Sequence, residues 1–136
     1  MGNIREETAR IEIICQTNNG KEYLKGALKG KKVILLFGKP NNAIMVFELS
    51  AKCLGAETSV MKTDRDWRKT FKAAAELADL IVIDRPAIDT LDTLPRAAKV
   101  KIINIDAYDS GYSFFSIMAL MKIMLNPDFL LPRFQI

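Results

Sequence analysis

The sequence predicts a three-layer α/β/α domain built on a four-stranded parallel sheet with strand order 2-1-3-4. Four short runs rich in apolar residues, at 33–37, 57–61, 80–84 and 101–105, have the length and composition of β-strands. Segments with helical patterns lie between them, and strands that alternate with helices form parallel sheets with right-handed crossovers. The 136 residues suit a single domain, 1–136, with one substantial core.

The composition of each strand predicts its place in the sheet. VILLF (33–37) and LIVID (80–84) are apolar on both faces, as central strands are. ETSVM (57–61) is half polar and KIINI (101–105) alternates, so both are expected at edges. The topological switch point then lies between strands one and three, and a ligand would sit beyond their carboxyl ends.

Helical patterns account for most of the remaining chain. A helix is predicted over 5–17, although its IEII run also fits a strand, and KEYLKGAL (21–28) suggests a short helix or turn. Further helices are expected over 42–54, with Gly55 just past the end, and over 66–78. A short helical or irregular piece spans 88–98. The last helix runs from about Ser113 to Leu125, before Pro127.

Composition narrows the classes of function. The chain is 49% apolar and 26% charged, which is ordinary for a globular protein, and no apolar run approaches the ~18–20 residues that span a bilayer. The polar start MGNIREET is not a secretory signal, so we expect a cytoplasmic protein with no membrane partner. The densest basic stretch, which includes Lys21 to Lys32, has no arginine and a single aromatic residue, Tyr23. We interpret it as solvated surface and not as a nucleic-acid site.

The residue inventory offers few catalytic groups. The chain has no histidine, which is the commonest general base and metal ligand. Cys15 and Cys53 fall on apolar helical faces, where reduced, buried thiols are expected. No Cys/Asp/Glu cluster has metal-ligand spacing, so we expect neither a metal nor a cofactor.

The stretch LLFGKPNNAIMVFELSAKCLGA (35–56) places a turn at the end of strand one, where a parallel sheet usually binds its ligand. Asn42 could cap the helix that follows, and the charged side chains could make structural ion pairs instead of binding a ligand. The candidate ligand-binding residues of this crevice are Lys39, Asn41, Asn42, Asp84, Arg85 and Tyr112.

The last helix is apolar almost all round, which requires burial on more than one side. Either the tail that follows it covers this surface within the chain, or a second copy of the chain does. The candidate interface residues are Phe114, Phe115, Met118, Met121, Phe129 and Phe134.

Several runs resemble the aspartate and ornithine carbamoyltransferases. LKGKKVILLFGKP (28–40) looks like the family's first strand, FE (47–48) and LGA (54–56) match the helix after it, and ADLIVIDRP (78–86) and VKIINI (100–105) resemble the third and fourth strands. The resemblance implies a Rossmann-like fold with the same strand order. It covers most of this chain but only the amino-terminal, carbamoyl-phosphate half of a family member. The carboxy-terminal, amino-acid-binding domain is absent from the sequence.

The chain departs from the family at each ligand-binding motif. Where the family turn reads Ser-Thr-Arg-Thr-Arg, this chain has NNAIM (41–45), and where the family has Arg-His-Pro it has Asp84, Arg85 and Pro86. The family's His-Pro-x-Gln aligns with Tyr112 to Phe115, and the mobile loop after strand two is reduced to KTDRDW (62–67). Carbamoyl transfer needs fixed cations where charge develops, and these positions supply apolar or anionic groups instead.

The resemblance therefore implies a stand-alone carbamoyltransferase-like domain with a degenerate active site. We expect it to lack transferase activity and to act by self-association, with a trimer preferred because the family assembles through this domain, or by binding a protein partner. Two alternatives stay open. The crevice could bind a small molecule or an anion, or carry out a minor reaction, or the chain could be half of a split carbamoyltransferase.

Overall fold

Four parallel strands form one sheet in the order β2-β1-β3-β4, which confirms the predicted order. The computed structural model describes residues 3–38, 41–63, 67–84, 100–105 and 112–132. The predicted piece over 88–98 lies outside these residues. The described strands are β1 (Lys32–Phe37), β2 (Glu57–Lys62), β3 (Leu80–Ile83) and β4 (Lys101–Asn104). The described helices are α1 (Ile4–Cys15), α2 (Gly20–Leu24), α3 (Asn42–Cys53), α4 (Trp67–Leu77) and α5 (Phe114–Leu125).

The two central strands are buried on both faces because helices cover both sides of the sheet. Val33 and Leu35 of β1 belong to the larger core, which also includes residues of α1, α3 and α5. Ile34 and Leu36 point the other way and pack with Phe71 of α4 in a smaller core. Side chains alternate between the faces of a strand, so one apolar run in β1 serves both cores. The result is the predicted three-layer arrangement.

The helix boundaries follow local capping. The IEII run belongs to α1, whose N-cap Asn3 accepts a hydrogen bond from the Glu6 backbone N–H at 2.8 Å. The prediction that Asn42 caps α3 is wrong by one residue, because Asn41 is the N-cap and Asn42 is the first helical residue. Ser113 caps α5.

Gly55 ends α3 as predicted, in the left-handed region at φ +89°. A Cβ atom there would lie 1.8 Å from the Lys25 carbonyl oxygen, so only glycine allows the segment after α2 to approach so closely. A backbone hydrogen bond from Leu28 N–H to the Leu54 carbonyl, 2.8 Å long, holds the same contact.

Helix α5 is covered within the chain, by α1 and α3. Met118 and Met121 are 0% exposed, so the predicted interface role is wrong for these two residues. Their apolar side chains fill the larger core because α1 presents its own buried Ile11 and Ile14 to the same cluster.

The other candidate interface residues are only partly covered. Phe114 and Phe115 are half-buried and make an edge-to-face contact with ring centroids 5.5 Å apart. Phe129 is half-buried and packs against the Tyr23 ring at 5.2 Å. Phe134 lies outside the described residues. The tail after α5 therefore folds back onto α2.

A buried ion pair joins α5 to α1. Lys122 Nζ lies 3.1 Å from Glu7 Oε2, and the two side chains are only 4% and 6% exposed. The contact is an ion pair without a directed hydrogen bond to Oε2. Lys122 Nζ also donates to the Pro127 carbonyl at 3.4 Å, and Arg10 lies 3.6 Å from the other Glu7 carboxylate oxygen. This cluster places charge inside an otherwise apolar helix–helix contact.

We expect Lys122→Met to lower the free energy of unfolding by about 3 kcal/mol, because it leaves the Glu7 carboxylate buried with only the more distant Arg10 to compensate it. The double variant Glu7→Met/Lys122→Met should recover most of that loss. Urea unfolding measures both. Lys25→Met is the matched control, since its ion pair with Glu22 is solvent-exposed and should contribute less than about 1 kcal/mol. Equal losses in Lys122→Met and Lys25→Met would contradict this prediction.

Candidate functional site

The candidate site lies at the carboxyl ends of β1 and β3, at the switch point of the sheet. Asp84 directly follows β3, and its Oδ1 and Oδ2 accept the backbone N–H of Gly38 at 3.1 and 3.0 Å. Gly38 directly follows β1. The Asp84 backbone N–H donates to the Leu36 carbonyl at 3.2 Å, which continues the pairing of the two strands. The carboxylate therefore reaches across the end of the sheet to the neighbouring strand.

Asn41 links this carboxylate to helix α3. Its Nδ2 donates to Asp84 Oδ2 at 3.1 Å, and its Oδ1 accepts the Ile44 backbone N–H at 2.9 Å. The two bonds fix the orientation of the amide, because only the NH₂ group can donate to a carboxylate and only the carbonyl oxygen can accept an N–H. One side chain thus caps α3 and holds Asp84.

The structure brings together only some of the predicted crevice residues. Asn41 and Asp84 are in direct contact. Asn42 is exposed on the first turn of α3, and Tyr112 is 37% exposed just before the start of α5. Lys39 and Arg85 lie outside the described residues.

Sequence reasoning missed Gly38 as part of the site. Its contribution is a backbone N–H, which has no side-chain signature. The available signal was its position, since a glycine directly after a buried strand often marks a backbone group that contacts a ligand or another side chain.

A second carboxylate makes a similar contact at the opposite end of the same two strands. Asp79 precedes β3, and its Oδ2 accepts the backbone N–H of Lys32, the first residue of β1, at 2.8 Å. The Asp79 backbone N–H donates to the Lys32 carbonyl, also at 2.8 Å. The Asp79 contact shows that a carboxylate next to β3 can stabilise the pairing of β3 with β1, so the similar contact of Asp84 is also partly structural.

Cys15 is not an activated nucleophile. Cys15 and Cys53 are free thiols and are half-buried. Burial raises the pKa of the Cys15 thiol, the neighbouring Cys53 raises it further, and Lys21 lowers it in part. A raised pKa reduces the thiolate fraction at neutral pH and with it the reactivity.

The described part of the chain contains no group of three or more His, Cys, Asp or Glu side chains that could hold a metal ion. Within the same ranges, every helix is too short or too polar to cross a membrane.

Helix α3 also carries apolar side chains outside the core. Met45 and Leu49 are 65% and 54% exposed, and Val46, next to Met45, is half-buried and packs against the edge of the larger core. We call these three residues the α3 patch. The patch lies in a shallow groove whose polar lining comes from Asn42, Glu48 and Lys52. Exposed apolar side chains that line up along one helix form a surface suited to contact with another protein.

No protein-family profile and no curated protein matches the chain. Solved structures do match it. An ornithine carbamoyltransferase from Coccidioides immitis is 19% identical, with a TM-score of 0.59 over 75% of this chain and 34% of that chain. The catalytic subunit of the M. jannaschii aspartate transcarbamoylase is 25% identical, with a TM-score of 0.55 over 75% and 36%. A ligand-free aspartate transcarbamoylase from Trypanosoma cruzi is 18% identical, with a TM-score of 0.55 over 77% and 36%.

These matches confirm the carbamoyltransferase-like α/β fold that the strand motifs indicated. The chain spans about one third of the length of the structures it matches. At this level of identity the likeness concerns the fold, and activity has to be argued from the site.

We expect Asn41→Ala to lower the free energy of unfolding by about 2 kcal/mol, since it removes both the cap of α3 and a hydrogen bond to Asp84. Asn3→Ala is the control, because Asn3 caps α1 through a single exposed hydrogen bond and should cost about 1 kcal/mol or less. Chemical denaturation of the two variants decides the point, and an equal loss would show that the Asn41–Asp84 contact adds nothing to stability.

Proposed function

We propose that this chain is a carbamoyltransferase-like domain that does not transfer carbamoyl groups and that acts through self-association. The observation that carries the first part is the position of Asp84. Its carboxylate is held at the end of β1 by the Gly38 N–H and the Asn41 amide. These are groups of the kind that would bind the phosphate of carbamoyl phosphate.

A carboxylate at this position opposes a phosphate electrostatically. Two like unit charges 4 Å apart repel by about 4 kcal/mol at an effective dielectric constant of 20, and a phosphate dianion is repelled more strongly. The five residues that follow Pro40, NNAIM, supply no arginine and no hydroxyl group to offset this repulsion. Transfer of a carbamoyl group also needs fixed positive charge where the transition state becomes more negative.

The α3 patch supports the second part of the proposal. Met45 and Leu49 are among the most exposed large apolar side chains in the described chain. A Glu48–Lys52 ion pair at 3.5 Å borders the groove, so an apolar centre has a polar rim, as in many protein interfaces. Val60 of the edge strand β2 is also exposed. Because α5 is largely covered within the chain, we expect a second copy to bind at α3, and the resemblance makes a trimer the expected assembly.

Self-association is tested by light scattering on the purified chain over a range of concentrations. We expect an oligomer for the wild-type chain and a monomer for Met45→Glu/Leu49→Glu, because two buried carboxylates would disrupt an apolar interface. Leu77→Glu is the matched control, since Leu77 is 61% exposed but lies on α4, on the other face of the sheet, and this variant should remain oligomeric. A wild-type chain that stays monomeric at all concentrations would refute this part.

Loss of transfer activity is tested with carbamoyl phosphate and either aspartate or ornithine. We expect no carbamoylated product and no change in melting temperature with carbamoyl phosphate. A ligand present at about 100 times its dissociation constant stabilises a protein by roughly 2.7 kcal/mol, which is easily seen in a melting curve. A clear stabilisation by carbamoyl phosphate would favour the anion-binding alternative, and product formation would contradict the proposal.

A further inference from the structure

We propose that Cys15 and Cys53 form a redox-sensitive thiol pair, which an external disulfide of the glutathione type converts into an intramolecular disulfide between the ends of α1 and α3. The two residues are the last ones of these helices, and both are free thiols and half-buried. The inference goes beyond the proposed function and does not rest on it, because the bond forms within one chain whether or not that chain self-associates.

The first support is that helix α2 lies between the ends of α1 and α3. At its start, a Cβ atom on Gly20 would lie 1.8 Å from the Ile14 carbonyl oxygen, so α2 begins in close contact with the end of α1. Just after its end, the Lys25 carbonyl oxygen lies equally close to where a Cβ atom of Gly55 would be, two residues past Cys53. Helix α2 has five residues and is therefore about 7.5 Å long. The ends of α1 and α3 are thus about one short helix apart.

The second support is that the two thiols share one environment. Both cysteines pack against the larger core from its edge. Burial raises the pKa of the Cys15 thiol, and the charge of Cys53 raises it further, so the two sulfur atoms are close enough to influence each other. A disulfide needs Cα atoms about 4.4–6.8 Å apart. Residues at helix ends adjust their positions more easily than residues inside a helix, which favours closure of the bond at this place.

The reaction is a thiol–disulfide exchange in two steps. The thiolate of one cysteine attacks a sulfur atom of glutathione disulfide, which forms a mixed disulfide and releases one glutathione. The thiolate of the other cysteine then attacks the protein sulfur of that mixed disulfide and releases the second glutathione. The two protein thiols are oxidised, the glutathione disulfide is reduced to two thiols, and these take up the two protons that the cysteines lose. An excess of reduced glutathione reverses both steps.

The charges near Cys15 favour an anionic oxidant. Lys21 is exposed in the first turn of α2, and its positive charge offsets part of the rise that burial and Cys53 cause in the Cys15 pKa. Glutathione disulfide carries a net negative charge, so Lys21 attracts it. Because the raised pKa keeps the Cys15 thiol protonated at neutral pH, we expect the bond to form slowly there and faster as the pH rises.

The experiment treats the wild-type chain, Cys15→Ser and Cys53→Ser with glutathione disulfide at mildly alkaline pH and low protein concentration. Free thiols are then alkylated, and the denatured chains are analysed by mass spectrometry. We expect the wild-type chain to lose two hydrogen atoms, to take up no alkylating reagent and to yield a peptide in which Cys15 and Cys53 are joined. Each single variant should stop at a mixed disulfide with one glutathione, because it lacks the second thiol.

A matched measurement in urea tests whether the fold brings the thiols together. At a fixed ratio of reduced to oxidised glutathione, the folded wild-type chain should form the intramolecular disulfide more than about tenfold more favourably than the unfolded chain. The oxidised chain should also melt several degrees higher than the reduced chain, because the bond restricts the unfolded state.

The outcomes separate this inference from the proposed function. A wild-type chain that keeps its thiols, or that ends with glutathione on both cysteines, overturns the inference, and so does equal closure in the folded and unfolded chains. A disulfide between two copies of the chain overturns it as well. A reduced wild-type chain that stays monomeric in light scattering refutes the proposed self-association and leaves the thiol pair untouched.

Discussion

The contact between β1 and β3 is the constraint on which the rest of the structure depends. These two strands are the centre of the sheet, and their side chains supply both cores. Two aspartates bracket β3, and each sends its carboxylate to a backbone N–H of the segment that carries β1: Asp79 to Lys32, and Asp84 to Gly38. The ends of a parallel pair would otherwise leave these amides to water, and a charged acceptor makes the stronger bond. The sheet is therefore fixed at both ends by residues next to one short strand.

The contact between a carboxylate and a backbone N–H has different consequences at the two ends of the strands. At the amino ends of the strands, a carboxylate that pairs with an amide only strengthens the sheet. At the carboxyl ends, where parallel sheets bind ligands and α3 begins, a carboxylate adds negative charge to the region that a ligand would enter. The Gly38 N–H and the Asn41 amide are donors that a ligand at this end could also use, and in this chain both are bonded to Asp84. A likeness of fold to carbamoyltransferases does not by itself carry their activity, which depends on the residues at this end of the sheet.

Sequence patterns predicted the elements whose burial is encoded locally. The runs of β1 and β3 are apolar on both faces, and this predicted their central positions, because both faces of a central strand are covered. Such patterns could not predict which elements pack against α5. Its all-round apolar surface indicates burial but does not identify what covers it, and the ion pair between Lys122 and Glu7 joins distant parts of the chain. The Asp84–Gly38 bond was equally hidden, since it depends on the turn geometry and uses a backbone donor.

Covering α5 within the chain changes where a partner can bind. The apolar helix, for which the sequence left cover by the tail or by a second copy open, is covered by α1 and α3, so it leaves no surface at Met118 or Met121. Among the exposed apolar side chains of the described residues, Met45 and Leu49 lie together on the outer face of α3. The N-cap of α3 is Asn41, which is bonded to Asp84, so this contact also sets the position of the α3 patch against the sheet. The proposed surface for self-association is therefore on a helix whose first turn is positioned by the chain's own carboxylate.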